Sequence, residues 1–370
     1  MKILYVVTNS DLGGAPRVVT ELSARAVEDG HSCAVAASPG GPMWDRLDPR
    51  IERIPVPSMR RAVDPAQDWR TFLFLRRLYR KYSPDIVHLH SSKAGAIGRL
   101  AAIASGGGLA KRCAYTIHGF DTILKTHRKY LSLERFLSHR CGAVVPVSSY
   151  DERSVRESGL GGRIVLIRNG VTDRLGLPSP DDKAVQRLEA AKSRGRPVVL
   201  AIARLEAPKR PDLFLDVARR LPEASFFWVG NVDQPAGILP PGARIPENAE
   251  FLGESPEAGN LANLCGIFLL LSDYEGLPMS ILEAMSCGTA IVGSDVGGIA
   301  EALGGSGKQK AGLLVPNEAD VVAAALHSIL ADPGSSRAMA QAARKRYVRE
   351  FSADRMWAAY ENLYRTLITA

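Results

Sequence analysis

The chain has 370 residues, room for two domains of roughly 100–200 residues each, and its 46% hydrophobic and 23% charged content is that of an ordinary globular enzyme. Its net charge of +8 is uneven, with 27 Lys/Arg against 16 Asp/Glu in residues 1–175 and a slight acidic excess in the remainder, so one half is suited to face an anionic partner. Five scattered cysteines with no C-x-x-C pair exclude a disulfide framework and a structural zinc site; no apolar run reaches membrane-spanning length, and no nucleic-acid-binding motif accompanies the basic charge.

The first apolar run, Ile3-Leu4-Tyr5-Val6-Val7, is too short for a secretory core and reads as a buried strand, which implies a cytoplasmic protein. Strands are expected at 2–8, 32–37, 51–55, 86–90, 112–118, 143–148 and 164–167. Helices lie between them, such as 16–29 with Val18, Val19, Leu22 and Ala26 at core spacing. Residues 69–81 interleave Trp69, Phe72, Phe74 and Tyr79 with Arg70, Arg76, Arg77, Arg80 and Lys81, just after Arg60-Arg61. Such a helix is either an ordinary solvated surface helix or one that lies on an anionic membrane, here the inner face of the cell membrane.

A Pro- and charge-rich break, Leu177-Pro178-Ser179-Pro180-Asp181-Asp182, interrupts this rhythm. Strands resume at 197–202, 225–229, 249–251, 266–271, 290–293 and 312–315, and a last helix spans 353–369 with Ser352 as its N-cap. The alternation predicts an α/β protein of two Rossmann-like, doubly wound domains. The expected division is 1–175 for the first domain, 176–195 for a linker, 196–350 for the second domain and 351–370 for a C-terminal helix.

The densest chemistry lies in Ser272-Asp273-Tyr274-Glu275-Gly276-Leu277-Pro278-Met279-Ser280-Ile281-Leu282-Glu283-Ala284-Met285. Glu275 falls in the loop after a buried strand, and a helix is expected to start near Pro278, where a missing N–H costs nothing. The amides at that helix start, around Gly276, Leu277 and Met279, form an anion site suited to a diphosphate. Glu283 lies inside the helix and can point back toward the same crevice. Carboxylates beside phosphate are best used to accept hydrogen bonds from sugar and ribose hydroxyls. Two surface glutamates are the alternative, which the apolar run around Glu283 disfavours. His88 and His90 share one face of a strand, but with no D-x-D or carboxylate cluster nearby no metal is expected. Ser91 and Lys93 follow at the strand end, where they can take an acceptor phosphate.

The run from Glu275 to Glu301 resembles the E-G-x-P-x4-E-A-M-x2-G pattern of the retaining GT-B glycosyltransferases, glycosyltransferase family 4 or "glycosyl transferases group 1", with the E-x7-E spacing intact at Glu275 and Glu283. The likeness extends to Gly13-Gly14-Ala15-Pro16-Arg17, Asp85-Ile86-Val87-His88-Leu89-His90, Thr116-Ile117-His118-Gly119, Pro146-Val147-Ser148, Asn169-Gly170-Val171 and Ala203-Arg204-Leu205 with Lys209. Proline replaces the family's usual glutamate at position 16, a helix-start position.

The resemblance implies two domains facing a central cleft, the first binding acceptor and the second a UDP- or GDP-sugar donor, with the last helix packed on the first domain. It implies that Arg204 and Lys209 grip the donor diphosphate, that Glu275 receives the hydroxyls of the donor sugar and Glu283 those of the ribose, and that His118 contacts the sugar beside its anomeric carbon. A satisfied core histidine is the plainer reading of His118. Gly13 and Gly14 match a glycine loop whose amides approach phosphate or acceptor, Gly14 counted with the donor and Gly13 with the acceptor. The implied acceptor is a lipid-linked glycan of cell-surface polysaccharide synthesis, with no cofactor, no metal and no nucleic acid. A nucleotide-sugar 2-epimerase of the same fold, or a transferase to a soluble small molecule, are the alternatives. A dinucleotide-dependent oxidoreductase is disfavoured because no G-x-G-x-x-G follows the first strand, and a non-catalytic sugar-binding protein because Arg204, Lys209 and both glutamates are present.

Overall fold

A computed structural model describes residues 1–126, 128–180, 182–231, 239, 244–304 and 310–369. The chain forms two compact units, Met1–Gly170 with Ala353–Ala370, and Val171–Ser352.

The first unit carries strands β1 (Lys2–Val7), β2 (Ser32–Ala37), β3 (Glu52–Pro55), β4 (Ile86–His90), β5 (Cys113–Ile117) and β6 (Ala143–Pro146). They form one parallel sheet in the order β3-β2-β1-β4-β5-β6. β1 is apolar almost throughout and β4 is wholly buried because helices cover both faces of a parallel sheet. The helix Ala353–Thr369 belongs to this unit and buries Met356, Trp357, Tyr360 and Tyr364.

The second unit repeats the plan with β7 (Val198–Ile202), β8 (Ser225–Val229), β9 (Ala249–Gly253), β10 (Ile267–Leu270), β11 (Ala290–Ser294) and β12 (Leu313–Val315), in the order β12-β11-β10-β7-β8-β9. In both sheets the chain winds outward one way, then crosses back and winds the other way, the order of a Rossmann fold. The crevice at the reversal lies between the C-terminal ends of β1 and β4 in one sheet, and of β7 and β10 in the other.

Three expectations are corrected. Residues 164–167 are not a strand: Ile164 makes a single bridge to Val144 at the sheet edge, and the segment is otherwise irregular. Residues 176–195 are not a linker. Asp182 accepts from Val185 N and caps the helix Lys183–Ser193, whose Ala184, Val185 and Leu188 pack into the second unit's core with Leu200 and Phe227. The first unit consequently ends at Gly170 rather than 175, and Arg174 belongs to the second.

Candidate active site

The β7–β10 reversal gathers most of the charged residues singled out in the sequence. The chain leaving β7 reaches Arg204 and then Lys209, whose backbone forms an antiparallel bridge with Ser272 just beyond β10. Arg210 N donates to Leu271 O at 3.1 Å and Asp273 N to Pro208 O at 3.0 Å, which sew the two loops together. Glu275 is thereby brought onto the Lys209 ammonium, which donates to its Oε1.

The rest of the acidic loop is held from below. Ser272 N donates to Ser294 Oγ at 2.9 Å, Ser294 Oγ to Asn317 Oδ1 at 2.6 Å, and Asn317 Nδ2 to Ser272 O at 3.0 Å. Gly298 N donates to Glu275 O at 3.0 Å. A Cβ on Gly298 would lie 1.5 Å from Gly276 O, so only glycine lets the next helix approach this closely. None of Ser294, Asn317 or Arg210 was singled out from the sequence. Arg210 is a strut: it pairs with Asp212 at 2.7 Å and Asp273 at 3.1 Å, and the pairing holds Asp212 below the usual carboxylate range. Its adjacency to Lys209 was the one available signal.

The helix Met279–Cys287 starts at Pro278 with no side-chain cap and no acidic residue in its first turn. An N-terminus left in that state keeps its positive dipole end available to an anion. The side chains of Leu277 and Met279 are buried, so those two positions offer a ligand their backbone only. Arg204 has a 40% exposed side chain paired with Glu206 at 2.6 Å, an ion pair that an incoming phosphate can replace.

Glu283 stands in different surroundings from Glu275. It is 1% exposed, its Oε1 lies 3.7 Å from Arg174 Nε, and Arg174 is held in turn by Glu257 at 2.9 Å and Asn260 at 2.7 Å. A Cβ at Gly259 would lie 2.8 Å from Glu283 Oε2, so the pocket around the carboxylate is tight. The sequence spacing anticipated one crevice for both glutamates; the structure gives each its own cation.

The first unit's reversal brings together the other candidates. Gly13 caps the helix Gly14–Glu28 with an extended backbone, and a Cβ on Gly14 would meet nothing within 4 Å. The turn itself therefore requires no glycine at Gly14. Ser91 sits at φ 69°, a strained conformation for a residue with a Cβ, and its hydroxyl bonds Thr8 Oγ1 at 2.6 Å. Lys93, the candidate for an acceptor phosphate, is partnered much as Lys209 is: its ammonium pairs with Asp68 at 2.6 Å and donates to Ala62 O.

His118 is the first residue past β5 and is half-buried. Its Nε2 lies 2.9 Å from His90 Nδ1, with the rings 22° from parallel. His88, one turn of the pleat before His90, is enclosed between Thr116 Oγ1 at 2.7 Å and Tyr364 OH at 2.6 Å, and Thr116 also bonds Tyr360 OH at 2.8 Å. Burial pushes all three imidazoles below their ordinary value, His118 to about 4. At neutral pH they are uncharged. Among the described residues no group of three or more His, Cys, Asp or Glu is placed to hold a metal ion, and no helix is long and apolar enough to cross a membrane.

Comparison with known proteins agrees with this architecture. The chain is 27% identical over 370 residues to the O-antigen biosynthesis glycosyltransferase WbnH of Escherichia coli, covering 98% of each chain. It is 26% identical over 314 residues, 80% of each, to the UDP-Gal:alpha-D-GlcNAc-diphosphoundecaprenol alpha-1,3-galactosyltransferase of Escherichia coli. Its fold superposes on sucrose-phosphate synthase from Thermosynechococcus elongatus with a TM-score of 0.81 and 19% identity over 100% of both chains. Anabaena HepE, solved with UDP and glucose, gives 0.79 and 19% over 98% of both. The Glycosyltransferase Family 4 model matches residues 12–174 and the Glycosyl transferases group 1 model residues 182–346, and with nearly the whole chain so accounted for, the protein belongs to this GT-B glycosyltransferase family.

Proposed function

We propose that the chain is a retaining, metal-independent transferase that moves a hexose from a nucleotide sugar to a lipid-linked glycan of a cell-surface polysaccharide. The observation that carries the reading is the meeting of Arg204, Lys209, Glu275 and an uncapped helix N-terminus at the second unit's strand reversal. A nucleoside diphosphate supplies the anion for those donors and cations, and a sugar supplies hydroxyls for the carboxylate. A UDP-sugar is the donor of choice, since one relative is named for UDP-Gal and HepE was solved with UDP and glucose. The diphosphoundecaprenol acceptor in that relative's name supports a lipid-linked acceptor here.

In this reading the diphosphate takes Lys209 and Arg204, and Glu275 turns to the sugar hydroxyls. The bond from the anomeric carbon to the β-phosphate oxygen breaks as the acceptor oxygen bonds the same face of that carbon. The acceptor's proton passes to the departing phosphate. The rate comes from neutralising charge on the leaving group and from positioning, so neither a carboxylate nucleophile nor a metal is invoked. Glycine at position 14, which the turn does not demand, leaves room for a ligand beside the first unit's strand ends. Glu283 reaches the ribose in this scheme only if Arg174 yields part of its contact.

Nucleoside diphosphate release from a panel of sugar nucleotides, with and without polyprenyl-diphosphate-linked sugar, tests the proposal. Acceptor-dependent release supports it. Formation of free 2-epimerised sugar would favour an epimerase, and release stimulated only by a soluble compound would favour a small-molecule acceptor.

A further inference from the structure

The His90–His118 contact determines which nitrogen of His118 carries its proton. His90 lies at the end of β4, wholly enclosed, and its Nδ1 meets His118 Nε2 at 2.9 Å. Both rings are neutral at pH 7, so each has one proton, and a single proton occupies the space between these two nitrogens. Either ring can be the donor in principle.

The far side of His90 decides between them. Its Nε2 is buried without a hydrogen-bond partner. Were His118 the donor, His90 would accept at Nδ1 and its own proton would sit on Nε2, a sealed N–H with nothing to receive it. Orphaned buried N–H groups are rarer than under-used acceptors. With His90 as donor, only a lone pair is left unused. His118 then accepts at Nε2, and its proton is on Nδ1. That Nδ1 makes no hydrogen bond to another described residue and is not sealed as His90 Nε2 is.

We infer that His90 is a positioning residue that holds His118 as its Nδ1–H tautomer, so that the half-buried ring offers an N–H donor to a hydroxyl or phosphate oxygen of the substrate. His90 is itself fixed by its neighbours: the His88 ring lies 4.0 Å away, and His88 is clamped by Thr116 and Tyr364. The last helix of the chain thus helps set the ring that sets His118. The role toward substrate rests on the donor-sugar reading of His118 given above; the tautomer itself does not.

Long-range proton–nitrogen NMR of the full chain labelled with ¹⁵N-histidine reads the tautomer directly. His118 should show a protonated Nδ1 and a bare Nε2 at pH 7. His90→Asn, whose amide can stand in for the Nδ1 donor, should keep that pattern, and His90→Leu, which removes that donor, should leave the proton of His118 divided between Nδ1 and Nε2. In nucleoside diphosphate release from UDP-sugar, His90→Leu should lower kcat at least about tenfold with little change in KM, as when an N–H aimed at developing charge is no longer held in place, and His90→Asn should restore much of it. A wild-type His118 protonated at Nε2 overturns the inference, whether or not His90→Leu folds. A proton no longer fixed on Nδ1 in His90→Leu, with unchanged kcat, overturns its role in the reaction and leaves the pairing standing.

Discussion

Arg204 and Lys209 are the two cations at the second unit's strand reversal, so their loss should be felt in the reaction. Arg204→Ala or Lys209→Ala should lower transfer at least about a hundredfold, the scale for removing charge stabilisation from a transition state. Circular dichroism should show an intact fold in both, and the melting temperature of Arg204→Ala should stay close to wild type, since its partly exposed ion pair is worth little. Near-normal turnover in both variants would contradict the assignment. The two glutamates should separate by behaviour. Glu275→Ala should lower turnover in a well-folded protein, whereas Glu283→Ala leaves a buried guanidinium short of a carboxylate and should cost stability on the order of 3 kcal/mol in urea unfolding. Equal stability of the two variants would show that burial does not distinguish them. Glu275 and Glu283 were legible from their types and spacing, and Arg204 and Lys209 from the resemblance to the glycosyltransferase family. The sequence did not reveal Arg174, Glu257 or Asn260 around Glu283, nor Asp68 on Lys93, because those partners arrive from distant segments that only the fold brings near.

Strand ends are where the structure and the sequence pattern part by a residue or two, and the difference is informative. Thr8, His118 and Ser148 continue apolar runs in the sequence but lie outside β1, β5 and β6. Released from the ladder, Thr8 bonds Ser91, His118 pairs with His90, and Ser148 caps the helix Ser149–Glu157. The segment 176–195 was misread because Pro and charge signal a turn, and the helix within it is recognisable only by the core that Leu188 enters. Parallel strands followed from the β-α rhythm, which dictates crossover connections. Histidines within β4 have a consequence for the whole element. Unfolded, each imidazole returns to about 6.5. Below that pH the unfolded chain takes up protons that the folded chain refuses, so stability is complete above about 6.5 and falls as pH drops toward 4, the value of His118. Urea midpoints at pH 7.5 and 5 should show the loss, and His118→Gln should reduce it by removing one titrating group. A midpoint unchanged between those pH values would mean that the imidazoles are not held neutral.

At the scale of the whole molecule the basic half is suited to an anionic partner. Trp69 is 61% exposed and stacks on Phe72 at 5.1 Å, with Arg70, Arg77, Arg80 and Lys81 exposed along the same helix, Pro65–Tyr82. Arg76 is less available, since its Nε donates to Ala104 O. We expect this face to dock on anionic lipid, each cation contributing on the order of 1 kcal/mol near such a surface. The chain should cosediment with anionic vesicles at low salt, lose them as screening rises, and lose them in the Arg70, Arg77, Arg80 and Lys81→Gln variant with nucleotide binding intact. Absence of wild-type cosedimentation would refute docking and point to a soluble acceptor. In the proposed reaction two cations and a helix N-terminus do the work of a metal in a transfer that retains configuration. The most direct test is proton NMR of the glycoside formed from an α-linked UDP-sugar and a polyprenyl-diphosphate-linked acceptor in excess chelator. An α-linked product, formed at the rate seen without chelator, is the result this account predicts. A β-linked product, or a reaction abolished by chelator and restored by magnesium or manganese, would contradict it.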